Sequence, residues 1–246
     1  MATPHASSAG ARPRVVLAKR GDVLLKLGNA NDETTSELVV SSNTLSMASP
    51  VFDAMFNSGF AEGQNLSSAS PRAISLPEDD PFYMTILCNI LHFKTSAVPV
   101  RLESIQLINF TVLCDKYDCV EAVQTSCRIW IADLTHNADI WNLERLLFST
   151  YLLDLPKEFS LVTRIIIQET ADPMSAGGPL PGRDLLPLVI IDRIQQDRKA
   201  RLSQIIAFLT PQSVQGKVNR VFSRKDYESY FSVTSCHVSR KEVGEL

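Results

Sequence analysis

Apolar residues recur along this chain with two periods. Near the amino-terminal side Val23, Leu25 and Leu27 fall on one face at period two, and Glu37-Leu38-Val39-Val40 repeats the pattern more briefly. The run Gly28-Asn29-Ala30-Asn31-Asp32 between them is turn chemistry, so the spacing predicts a hairpin. From Ser49 the period changes. Ser49 can cap a helix whose first position, Pro50, needs no amide partner, and Val51 with Met55 and Phe52 with Phe56 pair at i, i+4, which predicts a helical segment with both pairs inward. Gly59 and Gly63 bracket a loop, Ala73-Ile74-Ser75-Leu76 reads as a short strand, and Asp80-Pro81 repeats the cap-plus-proline start ahead of Phe82, Ile86, Leu87, Ile90 and Leu91.

Beyond Val98-Pro99 the pattern is helical almost throughout. Leu102, Ile105, Ile108 and Val112 mark one helix, and Val120, Val123, Cys127, Trp130 and Ile131 the next. Ile140, Leu143, Leu147 and Tyr151 form a further stripe, as do Phe159, Val162, Ile165 and Ile166. Asp172 to Gly182, rich in Pro and Gly, reads as a flexible linker. A long helix is expected from about Asp184 to Leu209, with Pro187 in its first turn and Leu186, Val189, Ile190, Ile194, Leu202, Ile205, Ile206 and Leu209 inward; Arg193, Asp197 and Arg201 fall at i, i+4 on its wet side. Gln212 to Arg224 reads as one more helix and Tyr227 to Cys236 as strand or tail. Residues 1–18, rich in Ala, Ser and Pro without periodicity, read as a disordered tail.

Composition narrows the class. With 246 residues, 45% hydrophobic and 21% charged, the chain can bury a real core. A net charge of −3 gives no global field for phosphate backbones. No apolar run approaches the roughly 18 residues of a membrane span, and Met1 to Gly10 lacks the apolar core of a secretory signal, so an intracellular protein, cytoplasmic or nuclear, is expected. Five cysteines, an odd number, read as reduced thiols, four of them within apolar helical patterns.

Reaction centres are hard to find. The phosphate-binding, dinucleotide-binding, zinc-protease and nucleophile-elbow motifs are absent, and of four histidines two, His5 and His237, fall in the expected tails. Cys88 with His92, and Cys114 with Cys119, lack the matching second pair of a zinc site, so core thiols are expected and no metal or cofactor. Lys217, Arg220, Arg224 and Lys225 interleave with Phe222, Tyr227, Tyr230 and Phe231, a pattern that a single-strand-binding surface shares with a solvated amphipathic end. Glu78-Asp79-Asp80 reads as negative charge favoured at a helix start.

The order of segments from Gly21 to Val123 resembles the BTB (POZ) family, in particular its members in filamentous fungi. Gly21-Asp22-Val23 is similar to the family's opening strand, and Leu45 to Phe56, with Ser49, Phe52, Met55 and Phe56 in place, to its LxxxSxxFxxMF signature. Ile74 to Pro81 resembles the next strand and helix start, and Leu113-Cys114-Asp115-Lys116-Tyr117 the A-D-K-Y run. The resemblance implies an α+β fold, a small sheet flanked by helices over residues 19–130, with an all-helical region over 131–246 packed on it through Trp130, Ile131, Ile140 and Trp141. Leu45, Phe52, Met55, Phe56 and Leu113 are expected as core, Ser49 as a cap and Tyr117 as a buried ring with a satisfied hydroxyl.

Two departures stand out. Where many members carry His and a basic residue after the second strand, this chain has Ser41-Ser42, so Asp22 lacks that basic partner; and no amphipathic helix precedes Gly21. The resemblance implies a non-enzymatic scaffold that binds other proteins or itself. A narrower alternative is a substrate adaptor of a cullin-type ubiquitin ligase, because Phe60-Ala61-Glu62 matches the apolar-x-Glu motif that cullin-binding members carry after the same helix. A nucleic-acid-associated regulator using the basic carboxyl-terminal segment is a second alternative.

Overall fold

A computed structural model describes residues 14–28, 35–136, 140–169 and 186–209, with the side chains of Ile140, Trp141, Glu169 and Leu209 also outside the description. Among the described residues the chain forms four strands and eight α-helices, a mixed α+β fold dominated by helix. It divides into two compact units, residues 1–100 with 113–123 and residues 101–112 with 124–246. The sequence pattern had suggested a single boundary near residue 130.

The first unit holds the sheet. Strands β1 (Arg14–Val16), β2 (Val23–Leu27), β3 (Ser36–Val40) and β4 (Arg72–Leu76) lie in the order β1-β3-β2-β4. The hairpin partners β2 and β3 run antiparallel with Leu25 opposite Leu38, and β4 adds in parallel on the other side of β2 with Ile74 opposite Leu25. Alternation works as expected: Val23, Leu25 and Leu27 are buried while Leu24 and Lys26 are half-buried. Strand β1 lies inside the stretch expected as a tail. Its three residues are too few to show a period, yet Val15 and Val16 pair in parallel with Leu38 and Val39, and buried Leu17 anchors the exit. Helices α1 (Ser42–Ala48), α2 (Pro50–Asn57) and α3 (Pro81–Leu91) follow, with α1 packed on α2 and α3 packed on α1 and β3.

The second unit is helical. It takes the start of α4 (Ser104–Lys116), most of α5 (Val120–Thr135), and all of α6 (Ile140–Leu152), α7 (Pro156–Glu169) and α8 (Leu188–Leu209). Trp130 meets Phe110 edge to face at 5.6 Å, and Leu143, Leu146, Leu147 and Phe148 of α6 are buried. Helix α6 packs on α7, and α7 on α8. Helix α8 differs from expectation in its start and in its apolar face. It begins after Pro187 rather than around it, and Val189, Leu202, Ile205 and Ile206 are exposed, leaving Ile190, Ile191 and Ile194 as its buried apolar residues, with buried Leu186 just before it. Arg193 pairs with Asp197 at 3.2 Å as the spacing predicts. The expected linker at 172–182 and everything beyond Leu209 lie outside the described residues. Among the described residues no helix is long and apolar enough to cross a membrane.

Candidate interaction site

Helix α2 sorts its residues onto two faces. Its start is fixed by Ser49, whose Oγ accepts from the Phe52 amide at 3.0 Å and donates to the Tyr117 carbonyl at 2.5 Å, with Pro50 at the first helical position. Phe52 and Phe56 turn inward. The Phe52 ring is stacked on Tyr117 at 4.4 Å and on Phe56 at 5.9 Å. Val51 and Met55 do not share that burial: Val51 is 37% exposed and Met55 half-buried. The inward direction expected for both pairs therefore holds only for the phenylalanines, because a helical face narrow enough to stack on Tyr117 excludes residues one position away.

The chain leaves α2 by a constrained path. The Ser58 amide donates to the Ala54 carbonyl, and Gly59 turns the backbone at φ +83°, where a side chain would be strained. A short 3-10 turn, Ala61–Gly63, then folds back on the helix end. A Cβ at Gly63 would lie 2.0 Å from the Phe56 carbonyl oxygen, so only hydrogen fits there. Held between these glycines, Phe60 is 57% exposed and Glu62 half-buried. With Pro50, Val51, Ala54 and Met55 they line an open groove of about 510 Å³. Its walls are apolar, and Glu62 is the single charged residue lining it.

The remaining signature residues lie apart from this groove, in the packing of the first unit. Leu45 and Leu113 are buried. Tyr117 is buried, and its hydroxyl donates to Asp79 Oδ2 at 2.5 Å, while Lys116 Nζ reaches Asp79 Oδ1 at 2.7 Å. Burial, then the bond to Asp79, pushes the phenol far above its ordinary range and keeps it a donor. The sequence reads Asp79 as one of three charges favoured at a helix start. It is buried instead, and Asp80 alone caps α3, accepting from the Phe82 and Tyr83 amides. Asp22, to which Ser41-Ser42 offers no basic partner, accepts from the Ser42 amide at 2.8 Å and the Ser42 hydroxyl at 2.6 Å. Beside it the Ser41 amide donates to His92 Nε2 at 3.0 Å. His92 Nδ1 lies 2.8 Å from the Cys88 carbonyl, which can only accept, so the ring is neutral with its proton on Nδ1. Burial of the ring is the main cause that lowers its pKa below 6.5.

Sequence reasoning passed over three residues: Asp79 as an internal carboxylate, His92 as a clasp, and Phe93 as an exposed aromatic in the left-handed region. Only the third carried a local signal, an aromatic directly after a helix. Cys88, Cys114, Cys119 and Cys127 are buried thiols, and burial raises the Cys88 pKa far above the ordinary thiol range. Among the described residues no three metal-binding side chains cluster. The basic segment after Lys217 lies outside the described residues. No family model matches the chain, and no curated protein is significantly similar to it.

Proposed function

We propose that this chain is a non-enzymatic protein-interaction scaffold of BTB (POZ) type, whose partner contact is the groove beside α2. The observation that carries the reading is the groove itself: an apolar concavity with Phe60 exposed at its edge and Glu62 as its one charge. Such a surface suits burial of an apolar side chain next to a basic or hydrogen-bonding group, and it brings no general acid and base together. Support for the BTB assignment comes from element order. An opening strand in a hairpin, a helix pair carrying the Leu45 to Phe56 signature, a strand parallel to β2 and the helix starting at Pro81 come in the order of the segments that resemble the family.

The narrower reading, a cullin ligase adaptor, is favoured by Phe60 and Glu62 lining one groove at the apolar and acidic positions of the apolar-x-Glu motif. Burying the exposed Phe60 ring in a partner is worth roughly 1.5 to 3 kcal/mol, about 10- to 100-fold in affinity. The double variant Phe60→Ala with Glu62→Ala tests it. Loss of cullin co-purification with an unchanged melting temperature is the expected result. Unchanged co-purification, or no cullin captured by the unaltered protein, removes the adaptor reading. The scaffold acts inside the cell and needs no cofactor on this reading.

A further inference from the structure

Three helices end in the same way. After α3, α4 and α6 the chain passes through one residue in the left-handed region, Phe93 at φ 57°, Asp118 at φ 46° and Asp154 at φ 48°. In each case the next amide reaches back to close the helix end: Lys94 to Asn89 at 2.8 Å, Cys119 to Cys114 at 3.0 Å and Leu155 to Thr150 at 3.0 Å. Glycine is the usual residue at this position, and the short aspartates tolerate it by local hydrogen bonding. Phenylalanine has neither excuse.

The α3 ending differs in a second way. Cys119 and Leu155 are buried and anchor their turns, whereas the residue after Phe93 is exposed Lys94. Phe93 itself is 85% exposed. A large aromatic is thus held in a disfavoured backbone conformation and presented to solvent, two costs to folding.

The same unit carries an open apolar surface. The groove of about 510 Å³ beside α2 is lined by apolar residues and bears Glu62. The projection is an aromatic followed directly by a cation. Neither Lys94 nor Glu62 forms an ion pair among the described residues. A net charge of −3 opposes association of two copies only weakly.

We propose that Phe93 of one copy of this chain inserts into the α2 groove of a second copy, with Lys94 against Glu62. This rests on the reading of the groove as the partner site and adds its regulation: self-association occupies the groove and competes with any other protein that uses it. A contact between two different patches is heterologous, so it gives reciprocal pairs or open chains according to the angle at which it closes.

The test is sedimentation of the purified full chain over a dilution series, with no other protein present. The unaltered chain should show a mass that rises with concentration. Phe93→Gly should weaken association about 10- to 100-fold while raising the melting temperature, since glycine suits the left-handed position. Lys94→Glu and Glu62→Lys should each weaken it several-fold, and the two together should restore it. A mixture of Phe93→Gly with Ala54→Glu should form only heterodimers, because the first supplies an intact groove and the second an intact projection. A chain that stays monomeric at every concentration overturns the proposal, as does Phe93→Gly associating like the unaltered chain or a double charge swap without rescue. A monomer that still captures a cullin overturns this proposal alone and leaves the adaptor reading standing.

Discussion

The two faces of α2 make opposite demands on the chain. On the inner face Phe52 and Phe56 stack, with Tyr117 beyond Phe52, and the bonds from Ser49 and Asp79 close around them, leaving every ring buried. On the outer face Val51, Ala54 and Phe60 meet solvent, and the glycines that shape the loop are fixed by backbone geometry. The inner set is what made the chain resemble a family, and it is packing. On the proposed reading the outer set is where a partner acts, and fold and binding would then be carried by neighbouring residues that answer to different physical constraints.

That comparison breaks most visibly on the inner face. Phe52→Ala removes a fully buried ring from between two others and should cost about 3 to 5 kcal/mol, read as a lower urea midpoint. Tyr117→Phe leaves buried Asp79 with Lys116 as its remaining side-chain partner and should cost about 1 to 3 kcal/mol in the same assay.

A smaller effect is expected at the clasp between α3 and α1. His92 must be neutral to accept from Ser41, and its folded pKa lies below 6.5, lowered chiefly by burial and also by Lys94, while the bond to the Cys88 carbonyl opposes the shift. Helix α1 contributes no ionisable side chain, and Glu37, the one on β3, lies at the far end of that strand from Val40. Above pH 6.5 neither folded nor unfolded chain holds the proton, and the clasp contributes in full. As pH falls below 6.5 the unfolded chain takes the proton first, so stability declines until the lowered folded value is passed. Urea midpoints measured from neutral to mildly acidic pH should fall for the unaltered chain, and His92→Gln should remove that part of the slope. The smallest stability effect belongs to the outer face: Phe60→Ala should shift the midpoint by no more than about 0.5 kcal/mol.

Helix starts were legible in the sequence, because Ser49-Pro50 and Asp80-Pro81 place the capping oxygen and the missing amide in adjacent letters. The ends of α3, α4 and α6 were not. Glycine signals a left-handed stop, and the three stops at Phe93, Asp118 and Asp154 use other residues. Asp79 was misread for a different reason: its partners Lys116 and Tyr117 lie 37 and 38 residues away, and only folding brings them to it. Periodicity likewise told that α8 has an apolar stripe, but Leu202, Ile205 and Ile206 show that a stripe does not state whether anything covers it. The groove was half legible. Phe60 and Glu62 were singled out by their resemblance to a family motif, whereas Val51, Ala54 and Met55 join them only because α2 turns its inner face so sharply toward Tyr117.

The claim that the outer face of α2 serves binding and not folding is tested most directly by measuring two quantities on one variant, Phe60→Ala: its urea midpoint and its affinity for a purified cullin amino-terminal domain. The account predicts a midpoint within error of the unaltered protein and an affinity lower by about 10-fold or more. A midpoint that drops as far as that of Tyr117→Phe, with affinity unchanged, would contradict it and make Phe60 a residue of the fold rather than of a binding face.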